Sequence, residues 1–243
     1  MLYIALLSVP FATAETVERP AVKSGDSWIY QSTTEQTANQ IMATPDQWIE
    51  KHYEVTAIRA GLTGILVSRK ERGSKQSPLE ILVGSDWSKY RSINGEETIF
   101  SQPLKFPLEP GKSWELKFTE NNPIREYKFT ETQIKYAVVG WEEITVLAGK
   151  FKAIKIEADG KWKSERAPSI NTSTNSRMDQ SGTTVVMQAN NAKPSSATGR
   201  TYSAYWYVPE AKMYVKSVEE FFSSNGRLSR RITEELESFK MEQ

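Results

Sequence analysis

The chain has 243 residues, 31 Lys and Arg against 30 Asp and Glu, one His and no Cys. A net charge of +1 excludes the clustered basic excess of a general nucleic-acid binder. Absence of Cys excludes disulfides, thiolate zinc sites, iron–sulfur clusters, a cysteine nucleophile and an acylated lipoprotein cysteine. At roughly 100–200 residues per domain, the length predicts one large domain or two small ones.

Leu2 to Ala12 is almost wholly apolar, Ala12-Thr13-Ala14 offers small residues, and Glu15 opens a polar stretch. This is the pattern of a secretory signal peptide, residues 1–14, cut after Ala14. No Lys or Arg precedes the apolar run, and the run is too short for the roughly 20 residues of a membrane anchor. The expected mature product, residues 15–243, is one soluble exported β domain, periplasmic or extracellular, without a transmembrane segment.

Gly and Pro then punctuate short runs rich in Val, Ile, Thr and aromatic residues, the pattern of an antiparallel β protein. Strands are expected at 27–33, 48–58, 64–70, 79–83, 89–93, 96–100, 113–119, 126–139, 142–147, 151–158, 201–208, 213–222 and 227–239. Alternation is clean in several. Ile154, Ile156 and Ala158 oppose Lys155 and Glu157, as a sheet wetted on one face requires. Asn94-Gly95 and Asn225-Gly226 suit tight hairpins whose two central residues need positive φ. Leu228, Ile232, Leu236 and Phe239 also recur at helical spacing, but the Asn225-Gly226 turn ties that segment to its neighbour as a strand.

The 164–200 stretch is rich in Ser, Thr, Asn, Gly and Ala and lacks aromatic residues. Such a composition offsets little ordering entropy and predicts one long polar loop, a mobile insertion with at most a short strand near 183–188. A lid over the sheet is the other reading of it. Val22-Lys-Ser-Gly-Asp-Ser-Trp28 is echoed by Leu108-Glu-Pro-Gly-Lys-Ser-Trp114, as if one turn-into-strand solution were used twice. The expected fold is all-β: a large curved antiparallel sheet, a half-barrel or open barrel, with very little helix.

Catalytic signatures are sparse. There is no Gly-x-Ser-x-Gly elbow, phosphate-cradling loop or paired-His motif. His52 sits among Glu50, Lys51 and Glu54 and reads as an exposed polar residue. The consecutive pairs Glu142-Glu143 and Glu234-Glu235 point to opposite sides of a strand, which suits solvated faces better than a glycosidase carboxylate pair. No metal or cofactor is expected. Seven Trp, ten Tyr and nine Phe fill a core or line a groove. Trp114, Trp141, Tyr202 and Trp206 are the candidate groove residues. In the run 202–208, Tyr202, Ala204, Trp206 and Val208 share one face, with Ser203, Tyr205 and Tyr207 opposite.

Three stretches carry a resemblance: Phe106-Pro-Leu-Glu-Pro-Gly-Lys-Ser-Trp114, the run Trp141 to Ile156 with its Ala148-Gly149 turn, and Tyr205-Trp-Tyr-Val-Pro209 on to Val215-Lys216. They resemble uncharacterised exported bacterial all-β proteins with a lipoprotein-localisation-factor-like curved sheet. The resemblance implies a concave side able to hold an apolar ligand and implies no catalytic residue. The expected function is therefore a non-catalytic exported binding protein for an apolar envelope ligand, a lipid or acyl chain. A structural module that meets another envelope protein is the second reading, and a carbohydrate-active enzyme the third.

Overall fold

The computed structural model describes residues 15–37, 45–124, 127–166, 170–179, 182–191 and 195–243, the backbone alone for 170–191; the expected signal peptide lies outside the described residues. There is no helix among them. Fourteen strands are formed: β1 Ser27–Gln36, β2 Gln47–Ala60, β3 Gly64–Glu71, β4 Leu79–Gly84, β5 Lys89–Ile93, β6 Glu96–Ser101, β7 Ser113–Asn121, β8 Tyr127–Val146, β9 Gly149–Arg166, β10 Ile170–Asp179, β11 Gly182–Asn191, β12 Ser196–Val208, β13 Met213–Phe222 and β14 Leu228–Lys240. Twelve of them make one antiparallel sheet in the order β6-β5-β4-β3-β2-β1-β14-β13-β12-β9-β8-β7. The sheet curls into a nearly closed barrel whose one seam lies between β6 and β7.

The strand order is two meanders of six, β1–β6 and β7-β8-β9-β12-β13-β14, joined where β1 pairs with β14. The repeated Gly-x-Ser-Trp stretch marks the same place in each. Gly25 (φ 96°) and Gly111 (φ 87°) occupy turns in which the Asp26 and Lys112 amides donate to the Lys23 and Glu109 carbonyls (3.1 Å each). The Gly25 amide donates to Ala57 O (2.8 Å), and the Gly111 amide to the corresponding Val138 O (2.9 Å). One residue past that point β2 carries a bulge between Ala57 and Arg59, and β8 one between Val138 and Gly140. Positive φ at these turns is what a side chain resists, so glycine recurs. The echo seen in the sequence is a structural repeat.

Several expectations change in detail. Expected strands 126–139 and 142–147 are one strand, because the bulge at Val138/Gly140 absorbs the irregularity without ending the ladder. Asn94 (φ 53°) and Gly95 (φ 88°) form the expected two-residue turn. At the other hairpin only Gly226 is positive (φ 79°), since a wider turn closed by Gly226 N–H to Ser223 O intervenes. The turn expected at Ala148-Gly149 is Leu147-Ala148, with Gly149 already paired to Val146. The 164–200 stretch is not one long loop: 164–166 and 196–200 extend β9 and β12, and β10 pairs with β11 as a separate two-stranded sheet. A ladder needs backbone groups rather than apolar side chains, so a polar run free of proline, as 170–191 is, can still pair.

One end of the barrel, the base, is closed by residues 15–28, the 84–88 and 209–212 turns, and the 102–112 connection. Leu104 and Leu108 are fully buried there, and Val17 pairs with Leu108 through two 2.8 Å hydrogen bonds. Trp28, fully buried, donates to Ala211 O (2.6 Å) and meets Trp87 edge-on at 5.3 Å, while Trp87 donates to Lys212 O (3.0 Å). Asp26, also fully buried, accepts from the Lys212 ammonium and from the Lys23 and Glu242 amides, each at 2.8 Å. Burial pushes its pKa up, but these donors outweigh it and hold the carboxyl below its usual range.

Two outcomes follow. Asp26→Asn should cost about 2–4 kcal/mol at neutral pH, since it strands the Lys212 charge. A depressed carboxyl contributes stability that is complete above the unfolded pKa near 4 and fades as pH falls below it, so chemical denaturation should show the gap between wild type and variant narrowing there. Replacing 168–194 by a short turn should leave far-UV circular dichroism β-type and shift Tm by less than about 4 °C, because β9 and β12 pair directly up to Glu165 and Ser196.

Candidate functional site

Inward-facing residues grade from apolar at the base to polar at the mouth. Ile154, Ile156, Val138, Ala57, Ile65 and Tyr207 fill the lower half. Above them lies a layer of tyrosines: Tyr214 has ring centroids 5.9 Å from Tyr30 and 5.7 Å from Tyr205, and Tyr30 donates to Tyr214 O (2.7 Å). Burial raises the pKa of all three hydroxyls, so they stay neutral donors. Arg69 projects beside this layer, bonded to Glu234 (2.6 Å) with its guanidinium 4.1 Å from the centre of the Tyr53 ring. Burial acts against the Arg69 charge, and Glu234 more than restores it.

Above the tyrosines the barrel is hollow. A cavity of about 340 Å³ is lined by Phe100, Ile134, Tyr136, Trp162 and Phe221 interspersed with Thr130, Thr132, Thr201 and Ser203. Lys89, Lys161, Glu219 and Glu220 supply charge at its walls. A second space of about 70 Å³ next to Arg69 and Glu234 shares Lys89, Ser101, Tyr205 and Glu219 with it, so the two adjoin. The Trp162 indole lies over Gly199, where a Cβ would stand 2.4 Å from the ring. Among the described residues no group of three or more His, Cys, Asp or Glu is placed to hold a metal.

None of the four candidate groove residues lines this cavity. Trp114 is in the core, stacked on Tyr136 at 5.2 Å and donating to Gln102 O. Trp141 is half-buried at the base, against Glu15 O and under the Lys152 ammonium. Tyr202 and Trp206 stand on the outer face. Tyr202 donates to Glu157 (2.9 Å), and burial together with that carboxylate pushes its pKa up to about 12. Trp206 bonds Glu142 and lies between Lys155 and Lys216. The alternation in 202–206 is as expected, but Ser203 and Tyr205, rather than Tyr202 and Trp206, face inward. His52 is half-exposed between Glu50 and Glu237.

No family model matches the chain, and no curated protein matches it. Two solved structures align over 93% of it at 12% identity. One, from Parabacteroides distasonis ATCC 8503, is described as a lipoprotein and is covered over its whole length with a TM-score of 0.44. The other, from Bacteroides fragilis NCTC 9343, is described as an exported protein with a YmcC-like fold and is covered over 99% with a TM-score of 0.39. Likeness at this level carries nothing about ligand or activity, and it does not bear on the localisation-factor resemblance.

Gly199→Val should displace the Trp162 indole into the hollow. Near-UV circular dichroism should change while the far-UV spectrum is kept, and stability should fall by about 1–3 kcal/mol from overpacking.

Proposed function

We propose that this chain is an exported, non-catalytic binding protein that holds an amphiphilic envelope molecule in the open half of its barrel. The observation that carries the reading is the cavity itself. Its volume falls within the roughly 300–1,000 Å³ of small-molecule sites, and its lining mixes aromatic and aliphatic side chains with hydroxyls. That mixture suits an acyl chain with a polar head rather than a wholly apolar ligand. Lys89 and Glu219 on the same walls suit a head carrying both charges. Export is supported by the apolar run before Ala12-Thr13-Ala14. A cut after Ala14 would keep the base intact, because Glu15 is itself held by Lys152 (2.7 Å) and Trp141.

Isothermal titration calorimetry with a lauroyl lysophosphatidylethanolamine, below its micelle concentration, tests this. Binding with a Kd of about 1–100 μM is expected. A negative heat-capacity change should accompany it, and Phe221→Asp and Gly199→Val should each weaken it at least about tenfold. Absence of binding to the folded wild type would overturn the reading. Recovery of a cleaved lipid from the mixture would overturn its non-catalytic part.

A further inference from the structure

A further concavity lies on the outer wall of the barrel. It is a groove of about 690 Å³ that crosses five neighbouring strands. Register places Lys117, Gln133, Lys161, Arg200 and Phe222 opposite one another in one row across β7, β8, β9, β12 and β13. Thr119, Glu131, Lys163 and Thr198 make the parallel row two residues on. Four strand spacings of about 4.8 Å give the groove a length of roughly 19 Å. The 223–226 turn closes one end.

Four cations face one carboxylate along this groove. Lys117 is paired with Glu115 and Arg200 with Asp159, both outside the lining. Lys161 and Lys163 form no ion pair with any described residue. The remaining polar lining is hydroxyl and carboxamide, from Thr119, Thr132, Thr198, Ser223, Ser224 and Gln133. The strands beneath are already paired on both sides, apart from β7, so no extended peptide can add to the floor through its backbone. Phe118, Trp162 and Phe222 supply aromatic lining, the last beneath the Arg200 guanidinium.

We propose that this outer groove binds a linear anionic glycan, its acidic groups on Lys161, Lys163 and Arg200 and its hydroxyls on Thr119, Thr198 and Gln133. Thr132, Lys161 and Trp162 border both this groove and the barrel cavity, so the two adjoin across the sheet. Cross-strand order sets the ligand's path perpendicular to the strands. Solvent-exposed cations make the binding steeply dependent on salt.

Affinity electrophoresis of the purified protein in gels containing polygalacturonate, dextran sulfate, neutral dextran or poly-glutamate, at about 20 mM salt, tests it. Polygalacturonate or dextran sulfate should retard the protein and neutral dextran should not; whichever acidic polymer retards more assigns the acidic group. Lys161→Ala with Lys163→Ala should weaken retention about tenfold and flatten its salt dependence. Lys70→Ala with Lys75→Ala, on exposed lysines elsewhere, should leave it unchanged. Equal loss in both double variants would reduce the effect to general ion exchange and overturn the proposal, as would no loss in the first. Poly-glutamate bound as tightly as the acidic glycans would overturn the assignment of the ligand class.

Discussion

The base of the barrel depends on one buried node. Asp26 holds Lys212 and two backbone amides, and Trp28 and Trp87 donate to the adjoining Ala211 and Lys212 carbonyls. Hydrogen bonds along a sheet fix each strand only to its neighbours. They do not tie β1 and the β4–β5 turn to the β12–β13 turn on the far side of the barrel. The node does so, and it does so with every buried polar atom of its carboxylate engaged, which is the condition for a buried charge to stabilise. At the equivalent turn of the second meander Lys112 replaces the acid and donates to the carbonyls of Lys105 and Pro107. The repeat therefore conserves backbone geometry while spending opposite charges on its two floors.

A tied base leaves the mouth to differ. The seam between β6 and β7 has no ladder; side chains bridge it instead. The Asn94 carboxamide donates to Thr119 O and accepts from the Asn121 amide, and Arg91 reaches Glu120 at 2.7 Å. Below, Trp114 donates to Gln102 O. Side-chain latches of this kind are weaker than a ladder, so the wall of the barrel at the seam is the part with least to lose on opening. The hollow lies behind it, with Phe100 of β6 in its lining. A filled lower half and a polar, hollow upper half give a single molecule a rigid end and an accommodating end.

Inside and outside also divide the aromatic residues by role. Inward aromatics pack on one another in the tyrosine layer and the Trp114–Tyr136 stack. Outward ones are covered by cations: Lys155 and Lys216 over Trp206, Arg200 over Phe222. Long amphipathic side chains lying on rings shield apolar area while their charges stay in water. An outer surface dressed in this way presents charge and hydroxyl groups, which is the chemistry of the groove across β7 to β13.

Local chemistry was enough to write most of the strands, the Asn94-Gly95 turn and the alternation in 202–206 into the amino-acid sequence. Each depends on residues within a few positions of one another, through period-2 patterning and φ preference. The repeated Gly-x-Ser-Trp turn was legible for the same reason. Three things were not. Continuity of β8 through its bulge, the pairing of β10 with β11, and which face of 202–206 points inward are set by neighbouring strands, not by the segment itself. Tyr205 and Trp206 are both large aromatic residues, so composition cannot rank them; closure of the sheet puts Tyr205 against Tyr214 and leaves Trp206 outside. The cavity and the groove were beyond sequence altogether. Their lining residues, Phe100, Tyr136, Trp162 and Phe221 within, and Lys117, Lys161 and Arg200 without, lie on separate strands and meet only through cross-strand register, a property of the assembled sheet.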